Sequence, residues 1–369
     1  MFGTILISIT TFMHIYVFCR VASVPFVRQH VSKRILIGLG LFLWAVFYLG
    51  RVVGHNGTGV LAMTLEFFGM NWMAVLFLIF IPLLFIDLVT VFGLFMPRIS
   101  SSLRECALIV GLILSVAALF QGLRSPVIRE YEVRLTGLPD SMDGTVLVVL
   151  SDMHLGLILG EGWLKARLAQ VKEQKPDIIL LLGDIFEGHG PPEDNLIAAF
   201  KELSAPLGVW AVTGNHEFHG RDRISLLERS GFSLLSNMWT EIRPGFILSG
   251  LDDLTAWRRN GQLGDPISQA LVGRPAGVTI FLSHTPWEAE RVSKAGVGLM
   301  LSGHTHGGQI WPLDYLVRKR YPLLEGRYEV DGMTVLVSRG TGTWGPRMRL
   351  WSPGEILRVT LRGKEKELS

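Results

Sequence analysis

Charge is scarce in this 369-residue chain, and cysteine is nearly absent. Asp, Glu, Lys and Arg make up 18% of it against 49% hydrophobic residues, and a mean hydropathy of +0.38 excludes both an ordinary soluble composition and a disordered one. The two cysteines, Cys19 and Cys106, fall in apolar runs, which excludes a disulfide framework. Acids are rarest early: before residue 124 there are three, Glu66, Asp87 and Glu105, against seven Lys and Arg. Taking these from totals of 32 and 35 leaves 29 acids and 28 bases, so the formal charge of +3 arises before residue 124. A basic nucleic-acid-binding surface is thereby excluded. No basic stretch precedes the first apolar run, and Phe18-Cys19-Arg20 is a poor cleavage site, so that run reads as a retained span and not a signal peptide.

What the early part does have is long apolar runs. Residues 2–19, 35–53, 72–96 and 106–123 are each about long enough to cross a hydrocarbon core roughly 30 Å thick. Four crossings are expected over 1–123, with Val60 to Met70, broken by Glu66, as a surface or re-entrant segment. Asp87 is the one acid deep in a crossing; a helix-helix hydrogen bond is the plainer reading, since no relay partner accompanies it. The loops after the first and third runs carry Arg20, Arg28, Lys33, Arg34, Arg98 and Arg104, against Arg51, Arg124, Arg129 and Arg134 on the other side. The positive-inside rule then turns everything after the fourth run away from the cytoplasm.

The texture changes after that run. Residues 124–144 read as an extended polar linker, and from 145 to 369 short β-rich runs alternate with helical stretches, the pattern of an α/β domain with buried sheets. Polar groups gather just past the apolar runs. "LSDMHLG" supplies Asp152 and His154; "LLGDIFEG", Asp184; "VTGNHEFHG", Asn215 and His216; "LSHTP", His284; "LSGHTHGG", His304 and His306. Alone, an Asp-x-His or a Gly-Asp is more often a turn or a helix cap. Together they deliver metal-type ligands from the C-terminal ends of five strands, the edge where ligand sites collect in α/β sheets. Carboxylate, amide oxygen and imidazole with no thiolate suit Mn, Fe or Zn. His189 and His219 are expected as loop residues at the rim.

This constellation resembles the calcineurin-like metallophosphoesterases, with their D-x-H, GD-x-x-D, GNH-D/E, H and GH-x-H pattern, and within them a bacterial membrane-associated branch typified by YkuE-like and transmembrane enzymes. "GHTHGGQ" and the late "SRGTG" (338–342) are the branch-like features. The resemblance implies a four-layer αββα sandwich behind a bundle of about four transmembrane helices. It implies two divalent ions, one held by Asp152, His154, Asp184 and His306, the other by Asp184, Asn215, His284 and His304, with Asp184 bridging. It further implies a metal-bound hydroxide as nucleophile and His216 acting on the leaving oxygen, oriented by Glu187 or Glu217. Glu187 departs from the pattern, standing where a second Asp is usual.

Arg318, Lys319 and Arg320, set among aromatic and apolar residues just after the last ligand motif, suit a lipid headgroup phosphate, or equally the solvated basic face of a surface helix. The expected substrate is therefore a phosphorylated lipid or lipid-linked nucleotide sugar, of which UDP-2,3-diacylglucosamine is the branch's example, and the expected location a bacterial inner membrane. The alternative is a non-catalytic metal-binding sensor or scaffold; such domains usually lose ligands, and here every ligand position is filled.

Overall fold

The computed structural model describes residues 2–55, 57–187, 194–219 and 223–364; His189 lies outside them. The chain divides into two compact units, Met1–Arg124 with Gly345–Leu350, and Ser125–Trp344 with Trp351–Ser369.

The first unit is helical: α1 (Phe2–Val21), α2 (Pro25–His30), α3 (Lys33–Leu49), α4 (Gly59–Val89) and α5 (Pro97–Leu123), with a π-helical turn, Gly50–Gly54, prolonging α3. Four stretches, Gly3–Val21, Lys33–Gly54, Gly59–Val89 and Ile99–Leu123, are long and apolar enough to cross a membrane. Val60 to Met70 is not a separate segment: it is the first third of α4, which runs unbroken for 31 residues. Glu66, which broke the apolar pattern, is buried and its carboxylate meets His55 Nδ1 at 3.0 Å, so the bundle absorbs it. Gly50 and Gly69 let α3 and α4 touch backbone to backbone; a Cβ on Gly69 would stand 2.8 Å from the Val46 carbonyl oxygen, the close approach that small residues permit between membrane helices.

Asp87 has more company than its sequence neighbours suggest. It is fully buried, and its carboxylate is held by Arg20 Nε at 2.6 Å, Arg104 at 2.8 Å and the Tyr16 hydroxyl at 2.6 Å. The cluster ties the end of α1, the end of α4 and the start of α5 together, as antiparallel connectivity requires. Residues 345–350 pack on α5, where the Arg349 N–H donates to the Ala118 carbonyl at 2.9 Å.

The second unit contains, among the described residues, twelve strands in chain order: β1 (Val127–Thr136), β2 (Val146–Leu150), β3 (Ile178–Leu181), β4 (Val209–Ala211), β5 (Ser233–Leu234), β6 (Met238–Arg243), β7 (Phe246–Gly250), β8 (Val278–Leu282), β9 (Leu299–Ser302), β10 (Gly326–Val330), β11 (Met333–Val337) and β12 (Glu355–Lys364). Its helices are α6 (Glu161–Glu173), α7 (Asp194–Phe200), α8 (Arg223–Arg229), α9 (Leu254–Arg259), α10 (Pro266–Leu271), α11 (Ala289–Lys294) and α12 (Leu313–Arg320). Two six-stranded sheets form, ordered β1-β12-β2-β3-β4-β5 and β10-β11-β9-β8-β7-β6. The residues expected as a linker contain β1, which pairs in parallel with β12 over its whole length. Only Val133 and Leu135 of that strand reach the core, so its composition reads as polar.

The layering follows from strand periodicity. Leu147 and Val149 of β2, with Ile178 and Leu180 of β3, point between the sheets toward Leu248, Ile280 and Leu301. Val148, Leu150, Ile179 and Leu181 point outward beneath α6, α7 and α8. On the second sheet Phe281, Met300 and Val335 pack outward against α9, α10 and α11. Both faces of each inner strand are covered, which is why these strands read as continuous apolar runs. The result is the expected αββα sandwich, with β2, β3, β4, β8 and β9 all ending at one edge.

Candidate metal centre

The turns leaving those five strands bring the predicted groups together. Three sets of groups each place their ligand atoms within 4.8 Å of one another: Asp152, His154 and His306; His154, Asp184 and His216; Asp184, His284 and His304. Asp184 is common to the last two. The backbone is bent to achieve this: Asp152, His154, Asp184, His304 and His306 all have φ between 48° and 71°, the left-handed region that non-glycine residues seldom occupy and that concentrates at functional sites. Gly214 makes room for one of these turns, since a Cβ there would collide with the Asp184 carboxylate.

Each of three imidazoles has one nitrogen anchored outward and one turned inward. His154 Nδ1 meets Glu187 at 2.6 Å while its Nε2 lies 3.1 Å from His306 Nε2. His284 Nδ1 donates to the Leu182 carbonyl at 2.6 Å, leaving Nε2 at 3.3 Å from Asp184. His304 Nε2 bonds the Tyr321 hydroxyl at 2.8 Å, and its Nδ1 lies 3.2 Å from His284 Nε2. Inward nitrogens facing one another beside two carboxylates repel unless a proton or a cation stands between them. Asn215 Oδ1 is buried with no hydrogen-bond partner, an orphaned oxygen of the kind a metal satisfies. By donor type and by this orphan, the cluster fits divalent cations.

Buried charge sets the titration. Burial opposes ionisation of Asp184, but the His284 and His216 charges outweigh it and hold the carboxyl well below its usual range. Glu187 is likewise held low by His216 and His154 despite its burial. Burial would lower the His216 pKa; Asp184 and Glu187 raise it to about 9. His219 moves the other way, to about 4, through burial and the nearby His216 and Arg259 charges.

The two predicted orienting carboxylates separate. Glu187 Oε2 reaches both His154 and His216 Nδ1, the latter at 3.1 Å, so the longer side chain spans two rings. Glu217 turns to backbone N–H groups instead. It is buried and accepts the backbone N–H groups of Gly214 at 2.7 Å, Asp184 at 2.9 Å and Ile185 at 2.9 Å, clamping the turns after β3 and β4 together.

Of the predicted substrate residues, all in the exposed last turn of α12, Arg320 connects to the centre: its guanidinium lies 4.5 Å from the Trp287 ring centroid, and Trp287 stacks on Tyr321. Arg318 and Lys319 are exposed on the same turn. Sequence reading passed over Arg258, over the same Trp287 ring at 4.6 Å, and Arg259, which bonds His219 Nε2 at 3.0 Å. His219 in turn packs on His216 with ring centroids 4.7 Å apart. Two adjacent arginines closing a short helix were the available signal.

Comparison with known proteins agrees with this geometry. The sequence profile of the calcineurin-like phosphoesterases matches residues 145–308. An uncharacterised metallophosphoesterase of Campylobacter jejuni is 31% identical over 265 residues, 71% of this chain and 70% of that protein. The Danio rerio transmembrane protein with metallophosphoesterase domain is 33% identical over 279 residues, 71% of this chain and 64% of that protein. The uncharacterised metallophosphoesterase YkuE of Bacillus subtilis is 29% identical over 248 residues, 63% of this chain and 84% of that protein.

Proposed function

The chain belongs to the calcineurin-like metallophosphoesterase family, and on that premise we propose that it is a membrane-anchored hydrolase cleaving a phosphoric ester or pyrophosphate bond in a lipid or lipid-linked substrate, with two divalent ions. One ion would be held by Asp152, His154, Asp184 and His306, the other by Asp184, Asn215, His284 and His304. The observation that carries this reading is the convergence of inward imidazole nitrogens and two carboxylates on one locus beside the orphaned Asn215 oxygen. When bound, such a pair of ions lowers the pKa of water and neutralises charge on phosphoryl oxygens.

The chain's own residues supply the rest. His216, held through Nδ1 by Glu187 at 3.1 Å with Nε2 turned to the locus, is suited to give a proton to the departing oxygen. Arg259 beside His219, and Arg320 over Trp287, add positive charge at the rim for an anionic substrate. Four apolar helices keep that rim in a membrane-bound molecule, which favours a lipid-borne phosphate over a soluble metabolite. The basic residues near the ends of the first and third spans support a catalytic unit outside the cytoplasm.

The full chain in detergent, given Mn²⁺, is expected to turn over bis-p-nitrophenyl phosphate. Phosphorus NMR of extracted membrane lipids and nucleotide-sugar lipids incubated with it should then show loss of one phosphate signal. Failure to hydrolyse any of these, with metal bound, contradicts the proposal.

A further inference from the structure

His304 sits on strained backbone, with φ at 71°, so the turn after β9 does not by itself hold the ring in place; conformations of this kind persist only where the surroundings over-determine them. Its ring has one partner outside the cluster, the Tyr321 hydroxyl 2.8 Å from Nε2. The outer anchors of His284 and His154 are a carbonyl and a carboxylate, and Tyr321 fills the same place for His304 with a phenol. With Nε2 engaged there, Nδ1 is left to face His284 Nε2 and, beyond it, Asp184.

Tyr321 is itself firmly set. Its N–H donates to the Val317 carbonyl at 2.8 Å, closing α12. Its ring lies nearly parallel to Trp287, with centroids 5.4 Å apart, and meets His304 edge-on at 4.8 Å. Trp287 is flanked by Arg320 and Arg258, and Arg258 is paired with Glu288 at 2.7 Å. A phenol held by a helix end on one side and an aromatic-guanidinium stack on the other can fix an imidazole's orientation.

We propose that Tyr321 is a positioning residue for the metal centre, fixing His304 so that Nδ1 is presented to the ion shared with Asp184, Asn215 and His284. This rests on the reading of His304 as a ligand. Outer partners of metal-bound histidines typically change metal affinity about 10- to 100-fold when removed. The effect should be confined to one of the two ions, because the Tyr321 hydroxyl bonds His304, which is assigned to that ion.

The test strips metal from the full chain in detergent and measures Mn²⁺ binding site by site, by titration against a competing chelator, for the parent, Tyr321→Phe and His304→Asn. Phe keeps the ring on Trp287 and removes only the hydroxyl. The expected result is one dissociation constant raised about 10- to 100-fold in Tyr321→Phe with the other and the metal-free Tm unchanged, and the same site abolished in His304→Asn. Two unchanged constants in Tyr321→Phe overturn the proposal, as does equal weakening of both, which would mark general loosening. If His304→Asn binds both ions as tightly as the parent, the ligand assignment itself is overturned.

Discussion

The Nε2 atoms of His154 and His306 lie 3.1 Å apart although 152 positions separate them in the chain. One follows β2 in the first sheet, the other follows β9 in the second, so the centre is built across the seam of the sandwich. Two imidazole lone pairs do not stay that close without a cation or proton between them, and Asp152 Oδ1, 3.3 Å from His306 Nε2, supplies the matching negative charge.

His216→Asn should lower kcat by about 10²- to 10⁴-fold for an alkyl phosphodiester, with metal content unchanged. The loss should shrink for p-nitrophenolate, which leaves without a proton. Steady-state kinetics on both substrates check this; equal losses would assign His216 to binding.

Glu217→Ala should destabilise the catalytic unit by on the order of 3 kcal/mol, because three backbone N–H groups lose a buried carboxylate acceptor. Thermal unfolding of the metal-free protein measures it. A Tm equal to the parent's would mean that the turns after β3 and β4 hold themselves.

Asp87→Leu leaves two guanidiniums without their shared counter-charge inside the helical unit. Removing one partner of a buried ion cluster typically destabilises by about 3–5 kcal/mol, so unfolding in detergent should move to markedly lower temperature. Asp87→Asn, which keeps the hydrogen-bond acceptor for Tyr16, should fall between the two.

Alkaline phosphatase fused after Ser125 should be active and a fluorescent protein fused there dark, as an outward-facing catalytic unit requires. The reverse pattern would turn the bundle over and bring nucleotide-linked lipids of the cytoplasm within reach.

The gathering of the candidate metal-binding groups was legible because they come in short motifs directly behind apolar strands, and the four spans because their hydropathy is continuous. Partnerships distant in sequence were not legible. Glu66 reads as a break until His55, eleven residues away, hydrogen-bonds its carboxylate. Asp87 reads as solitary because Tyr16 and Arg104 lie 71 and 17 positions off. Strand β1 looked like a connector since only its end is buried. Glu217 and Tyr321 act on backbone and on another side chain, contacts that no local pattern encodes, and the left-handed φ at five site residues has no sequence signature when the residues are Asp and His.

A two-ion centre bridged by Asp184 is tested by the number of Mn²⁺ ions bound per chain after metal-stripped protein is reloaded and dialysed. The parent should hold two and Asp184→Asn fewer than two. One ion or none in the parent, or two retained in Asp184→Asn, would contradict it.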